Sequence, residues 1–74
     1  MEEVKPGIYR HWKGELYLVI GLVRNSVTEK RDTVLYMQLY GQREFCVRPL
    51  EDFLATVEKE GKKVPRFEYV GGKQ

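Results

Sequence analysis

Leu16-Tyr17-Leu18-Val19-Ile20-Gly21-Leu22-Val23 decides the fold of this 74-residue chain. Side chains of a strand alternate between two faces. Leu16, Leu18, Ile20 and Leu22 therefore make one apolar face. Tyr17, Val19 and Val23 make the other face apolar as well, with Gly21 interrupting it. An open sheet with one wet side would leave one of these faces in water. The stretch predicts a closed or sandwiched sheet. Its internal glycine suits the bend of a strand shared around a small barrel.

Upstream, Gly7-Ile8-Tyr9-Arg10-His11-Trp12-Lys13-Gly14 places a short strand over 8–12 between two glycines, with a tight turn at Lys13-Gly14. Downstream, 25–32 is polar and charged apart from Val27 and reads as a loop or the tip of a long hairpin. Strands follow over 33–40 and 44–48, separated by a turn at Gly41-Gln42-Arg43. Pro49-Leu50-Glu51-Asp52-Phe53-Leu54 reads as one helical turn. Proline suits the first helical position, and Glu51 and Asp52 suit the positive end of the helix. A strand over 56–59 turns at Glu60-Gly61, and 63–67 returns beside it.

The fold expected is all-β. Residues 1–6 form a flexible N-terminus, and 68–74 form a flexible C-terminal tail. Between them, 7–67 form a single SH3-like barrel of five to six mostly antiparallel strands, with a helical turn near 49–54. No segment holds a helical period over three turns, and no repeat or linker marks a second domain.

Composition narrows the function. The net charge of +2 is too small to imply nucleic acid by itself, so the surface should carry mixed signs. No apolar run approaches the roughly 20 residues that span a membrane. The start, Met1-Glu2-Glu3-Val4-Lys5, lacks the basic-then-apolar order of a signal peptide. One cysteine, Cys46, allows no internal disulfide. The chain therefore reads as cytoplasmic. One His and one Cys cannot supply the four ligands of a structural zinc site, so neither metal nor cofactor is expected. The phosphate-loop and dinucleotide glycine motifs are absent, and Gly71-Gly72-Lys73 reads as tail.

Three stretches taken in order carry a resemblance. They are 7–14 with Tyr17 and Val19; Val34-Leu35-Tyr36 with Leu39-Tyr40-Gly41; and Val47-Arg48-Pro49-Leu50 with Phe53. Val64-Pro65-Arg66-Phe67 closes the pattern. The order resembles the bacterial DUF1653 family, a small domain of unknown function, over nearly the whole chain. The resemblance implies a small β-rich domain and implies no activity. Two positions depart from the family pattern. Asn25-Ser26 stands where the family usually has His-Ser, and Cys46 stands where it often has Trp.

On a strand, Tyr9, His11 and Lys13 share one face, where a core would prefer Val or Ile. With Tyr36, Tyr40 and Arg66 they form the expected ligand surface, one wall of a cleft. Aromatic platforms and cationic donors fit an anionic, partly planar group. The expected partners are a nucleotide, a nucleic acid or an acidic peptide, with no membrane. Trp12 reads as core filler, although it could stack a ligand. Arg48 could fork onto an anion, but it reads as an internal ion pair with Glu51, Asp52 or Glu15. Cys46 reads as a small hydrophobe. Two other classes stay open: an interaction domain that pairs an edge strand or peptide, and a small enzyme with His11 as general base for Ser26 or a tyrosine.

Overall fold

The computed structural model describes residues 4–72. Its elements are β1 Gly7–His11, β2 Leu16–Asn25, β3 Lys30–Gln38, β4 Phe45–Pro49, α1 Leu50–Phe53, β5 Thr56–Lys59, β6 Lys62–Pro65 and β7 Phe67–Gly71. Five strands form one antiparallel sheet in the order β4-β3-β2-β1-β7, and β5 and β6 form a separate hairpin. That order, with a turn of helix late in the chain, is SH3-like. No helix among the described residues is long and apolar enough to cross a membrane.

The closed or sandwiched sheet expected from two-sided apolarity in β2 is not formed among the described residues: the sheet stays open between β4 and β7, and the outward Leu16 and Leu18 are half-buried. Tyr17 and Val19 are buried on the concave face. The ladder to β3 slips between Val19 and Gly21, leaving Ile20 as a bulge. A bulge inserts one residue and so reverses the facing of everything after it. Leu22, opposite Val34, therefore joins the core with Tyr17 and Val19, whereas alternation placed it on the face of Leu16, Leu18 and Ile20. Ile20 itself stays 46% exposed. Gly21 takes φ +141°, a conformation that suits only glycine, so the bend and the glycine coincide.

The barrel is not closed by hydrogen bonds. β4 and β7 are the two ends of the sheet, and among the described residues no ladder joins them. Side chains fill the seam. Phe53 of α1 stacks flat on Phe67 of β7 at 4.5 Å, and Tyr36 lies against both rings. Proline before the helical turn and two acids within it produce the expected helix, which delivers Phe53 into the open side.

Three expectations change. Seven short strands stand where five to six were expected, because the chain after Phe67 forms a further strand, β7, beside β1. The tail expected over 68–74 is strand as far as Gly71. Phe67 fills the core, Glu68 pairs with Arg10 in the ladder, and Tyr69 lies edge-on to Tyr9 at 5.3 Å. At the other end Val4 is buried in the core, and the Lys5 carbonyl accepts a 2.7 Å hydrogen bond from the Tyr9 hydroxyl. A wholly loose segment over 1–6 is therefore corrected from Val4 onward. Residues 1–3 and 73–74 lie outside the described residues.

Candidate functional site

The six residues expected on one surface separate into two groups. Tyr9 is core: it is 7% exposed, edge-on to Phe53, and its hydroxyl is tied to Lys5. Burial first, then the nearby Tyr69 phenol, raises its pKa. Lys13 leaves the face because β1 ends at His11. Trp12 and Lys13 sit in the turn, closed by bonds from Gly14 N–H to the His11 carbonyl and from His11 N–H to the Glu15 carbonyl. Lys13 is exposed, with its ammonium 5.5 Å from the centre of the Trp12 ring.

His11, Tyr36, Tyr40 and Arg66 remain near one end of the concave face. His11 pairs with Phe67 across the β1–β7 ladder, ring centroids 5.0 Å apart, and lies edge-on to Tyr17 at 6.1 Å. Tyr17 and Tyr40 share a 2.7 Å bond between hydroxyls, and Gln38 donates to Tyr40. Burial, that bond and neighbouring negative groups push the Tyr17 phenol far up, so it stays protonated. Tyr36 is 5% exposed, but its hydroxyl accepts a 3.3 Å bond from Arg48 Nε. Arg66 is half-buried, and its Nε is shielded from water without an acceptor.

Arg48 is the residue that sequence reasoning assigned elsewhere. It has no acidic partner among the described residues. Among the described residues the one salt bridge is Arg24 to Glu29, 3.9 Å apart on the surface. Instead the Arg48 guanidinium lies 5.4 Å from the centre of the Phe67 ring. The signal was present in the alternation of β4: Cys46 and Arg48 face the core opposite Tyr36 and Val34, while Phe45 and Val47 face outward. Trp12 is also reassigned. It lies outside the core cluster and helps line a cleft of about 260 Å³ with Arg10, His11, Lys59, Pro65 and Glu68.

His11 reads the charge of this neighbourhood. Its pKa is lowered, by burial first and by Arg48 next, with Lys13 and Arg66 adding to the effect and Glu15 opposing it. Three cations and one carboxylate surround a ring that stays neutral at pH 7. Nδ1 accepts the Lys13 backbone N–H at 3.2 Å, which leaves the ring proton on Nε2 as a donor. That bond is the ring's one hydrogen bond among the described residues. No hydroxyl of Ser26 or of a tyrosine shares a bond with the ring, so no base–nucleophile pair is formed. No group of three or more His, Cys, Asp or Glu among the described residues gathers as a metal would need.

The larger hollow, about 500 Å³, lies at the far end of the β2–β3 hairpin between Asn25, Lys30, Asp32, Leu50 and Glu51. Its charges are mixed. Asn25 there is occupied with the turn: Oδ1 accepts from the Val27 and Thr28 N–H groups.

A family described as "Protein of unknown function (DUF1653)" matches residues 7–69. The chain belongs to the DUF1653 family. The crystal structure of a DUF1653 protein from Bordetella bronchiseptica is similar to it at 36% identity, with a TM-score of 0.83 over 96% of this chain and 92% of that one. No curated protein matches it. Asn25 is a turn residue, and Cys46 is a core-facing residue of the edge strand.

Proposed function

We propose that this DUF1653 protein is a small binding module for an anionic, partly planar group, a nucleotide or a segment of nucleic acid. One observation carries the reading. Among the described residues, Arg48 and Arg66 are half-buried cations without a salt-bridged carboxylate, and Arg66 Nε has no hydrogen-bond acceptor. Desolvating a charge without a partner is costly. An arriving anion would recover that cost.

The parts have separable roles. Tyr36 fixes the Arg48 fork through Nε, and the Phe67 face supports it from one side. The terminal nitrogens of Arg48 donate to no group among the described residues, so they can grip two oxygens of a phosphate. His11 Nε2–H offers a third donor. Trp12, on the rim of the cleft, offers a plane for a base. The setting we propose is the cytoplasm of a bacterium, supported by the single cysteine and by the Bordetella relative.

NMR titration of the labelled chain with inorganic phosphate, adenosine monophosphate, a short single-stranded oligonucleotide and an acidic peptide tests the reading. The His11, Trp12 and Arg48 side-chain signals should move with the nucleotide and the oligonucleotide, less with phosphate, and weaken steeply with salt. Silence at these three residues with every probe overturns it, and movement with the peptide alone replaces the ligand class.

A further inference from the structure

We propose that the chain pairs with a second copy of itself along the free edge of β4, antiparallel and in a register centred on Cys46. The sheet order leaves β4 with β3 on one side and nothing on the other among the described residues. Gln38 N–H donates to the Glu44 carbonyl at 3.0 Å, which fixes the alternation of the ladder. Backbone groups of Glu44, Cys46 and Arg48 point toward β3, and those of Phe45, Val47 and Pro49 point to the open edge. Pro49 thus turns its missing donor outward, where edge strands tolerate proline.

The side chains on this edge are unusual for a surface strand. Phe45 is 66% and Val47 64% exposed. They continue an outward apolar row through Met37 and Leu35, their neighbours on β3. Natural edges are blunted against pairing by charge, proline or brevity, and the Phe45-Cys46-Val47 stretch carries no charge.

The sequence Glu44-Phe45-Cys46-Val47-Arg48 also reads as its own complement. In a register centred on Cys46, Glu44 faces Arg48 of the second copy, Phe45 faces Val47, and Cys46 faces Cys46. Phe45 and Val47 then form two hydrogen-bonded pairs with four N–H to carbonyl bonds, using only groups that already point to the edge. A register centred on Val47 sets Cys46 opposite an arginine and opposes Phe45 to a proline without a donor. The other free edge, β7, offers no such match: its one charge, Glu68, meets no cation of the strand in any antiparallel self-pairing. Charge complementarity and two-fold self-pairing select a second copy as the occupant.

A five-residue edge buries far less than the ~1,200 Å² of stable complexes, so association depends on concentration. Glu44 of the second copy would approach Arg48, so an anion and the pairing compete for that guanidinium. The test is therefore run in phosphate-free buffer with chloride low, where the dimer can form whether or not the ligand reading holds.

Sedimentation equilibrium of the full chain from micromolar to near-millimolar concentration should show the mass rising toward twice that of the chain. Val47→Lys should hold it at the single-chain mass. Glu44→Arg should weaken association by about tenfold or more, and adding Arg48→Glu should restore it. Non-hydrogen-bonded pairs sit about 4.5 Å apart at Cα, within the span of a disulfide. Copper–phenanthroline, accepting two electrons while two thiol protons leave, should link Cys46 to Cys46 in the wild type and not in Val47→Lys. If the double charge variant does not fold, Val47→Lys and the oxidation remain decisive. A single-chain mass at every concentration overturns the proposal, as does association that Val47→Lys leaves intact.

Discussion

Phe53 and Phe67 lie parallel, 4.5 Å between ring centres and 9° apart in plane, although one belongs to a four-residue helix and the other to the last strand. The contact spans the seam that the backbone leaves open between β4 and β7. It replaces a row of hydrogen bonds with packing. Phe53→Ala should therefore cost about 3–5 kcal/mol, the range for deleting a buried aromatic. Phe53→Leu should cost less, because it leaves a smaller void. Urea denaturation monitored by Trp12 fluorescence measures both; a change within the ordinary scatter of roughly ±0.5 kcal/mol for surface sites in the alanine variant would show that the seam is held elsewhere.

Gly7 and Gly21 should differ when replaced. Both have φ near +140°, so any side chain strains the backbone. At Gly21 a Cβ meets open space, and Gly21→Val should cost about 1–3 kcal/mol from conformation alone. At Gly7 an added Cβ would also lie 2.7 Å from the Gly71 carbonyl oxygen and 2.9 Å from the Tyr69 ring. Gly7→Ala should therefore be the more damaging, and amide exchange should rise first along the β1–β7 ladder. Equal melting temperatures for the two variants would contradict this ordering.

Much of the fold was legible because hydrophobic alternation, turn glycines and the Pro49 helix start each point to one local structure. Four things were not legible. The bulge at Ile20 moved Leu22 to the core, and alternation contains no sign of an inserted residue. β7 was hidden because Glu68 and the glycines after it look like a tail; Phe67 acquires its burial, and Tyr69 its ring contact with Tyr9, only when β1 lies alongside. At the site, Tyr9 and His11 did share a face, but β1 ended too early for Lys13 to join them. Arg48 was missed through a preference for a nearby carboxylate, when the structure gives it a phenol and a ring.

The depressed pKa of His11 makes stability depend on pH in a defined direction. In the unfolded chain the ring takes up its proton near pH 6.5, while the folded site resists it. Below pH 6.5 the unfolded state therefore binds more protons, and stability falls as pH falls through the folded value. His11→Gln should flatten this part of the curve. Arg48→Gln, by removing the largest neighbouring charge, should raise the His11 pKa, and Lys13→Gln should raise it less. An NMR titration of the imidazole resonances checks all three; a His11 pKa that stays in place in Arg48→Gln would separate the imidazole from the guanidinium.

Arg48→Lys tests whether the site recognises shape or only charge. Lysine keeps the positive charge but cannot hold the Tyr36 hydroxyl through Nε while presenting two parallel donors. If a phosphate is gripped by the fork, affinity for adenosine monophosphate should fall about tenfold, near 1.4 kcal/mol, in Arg48→Lys. Arg48→Gln, lacking both charge and fork, should fall further. Tyr36→Phe provides the companion measurement: it leaves the guanidinium in place but removes its anchor, so its loss should be smaller than that of Arg48→Lys. The bound ligand should also raise the His11 pKa in the wild type, because an anion offsets the cations that now lower it. Calorimetry at two pH values on either side of the His11 transition would then show proton uptake on binding, and equal affinity for the wild type and Arg48→Lys would reduce the site to a diffuse positive field.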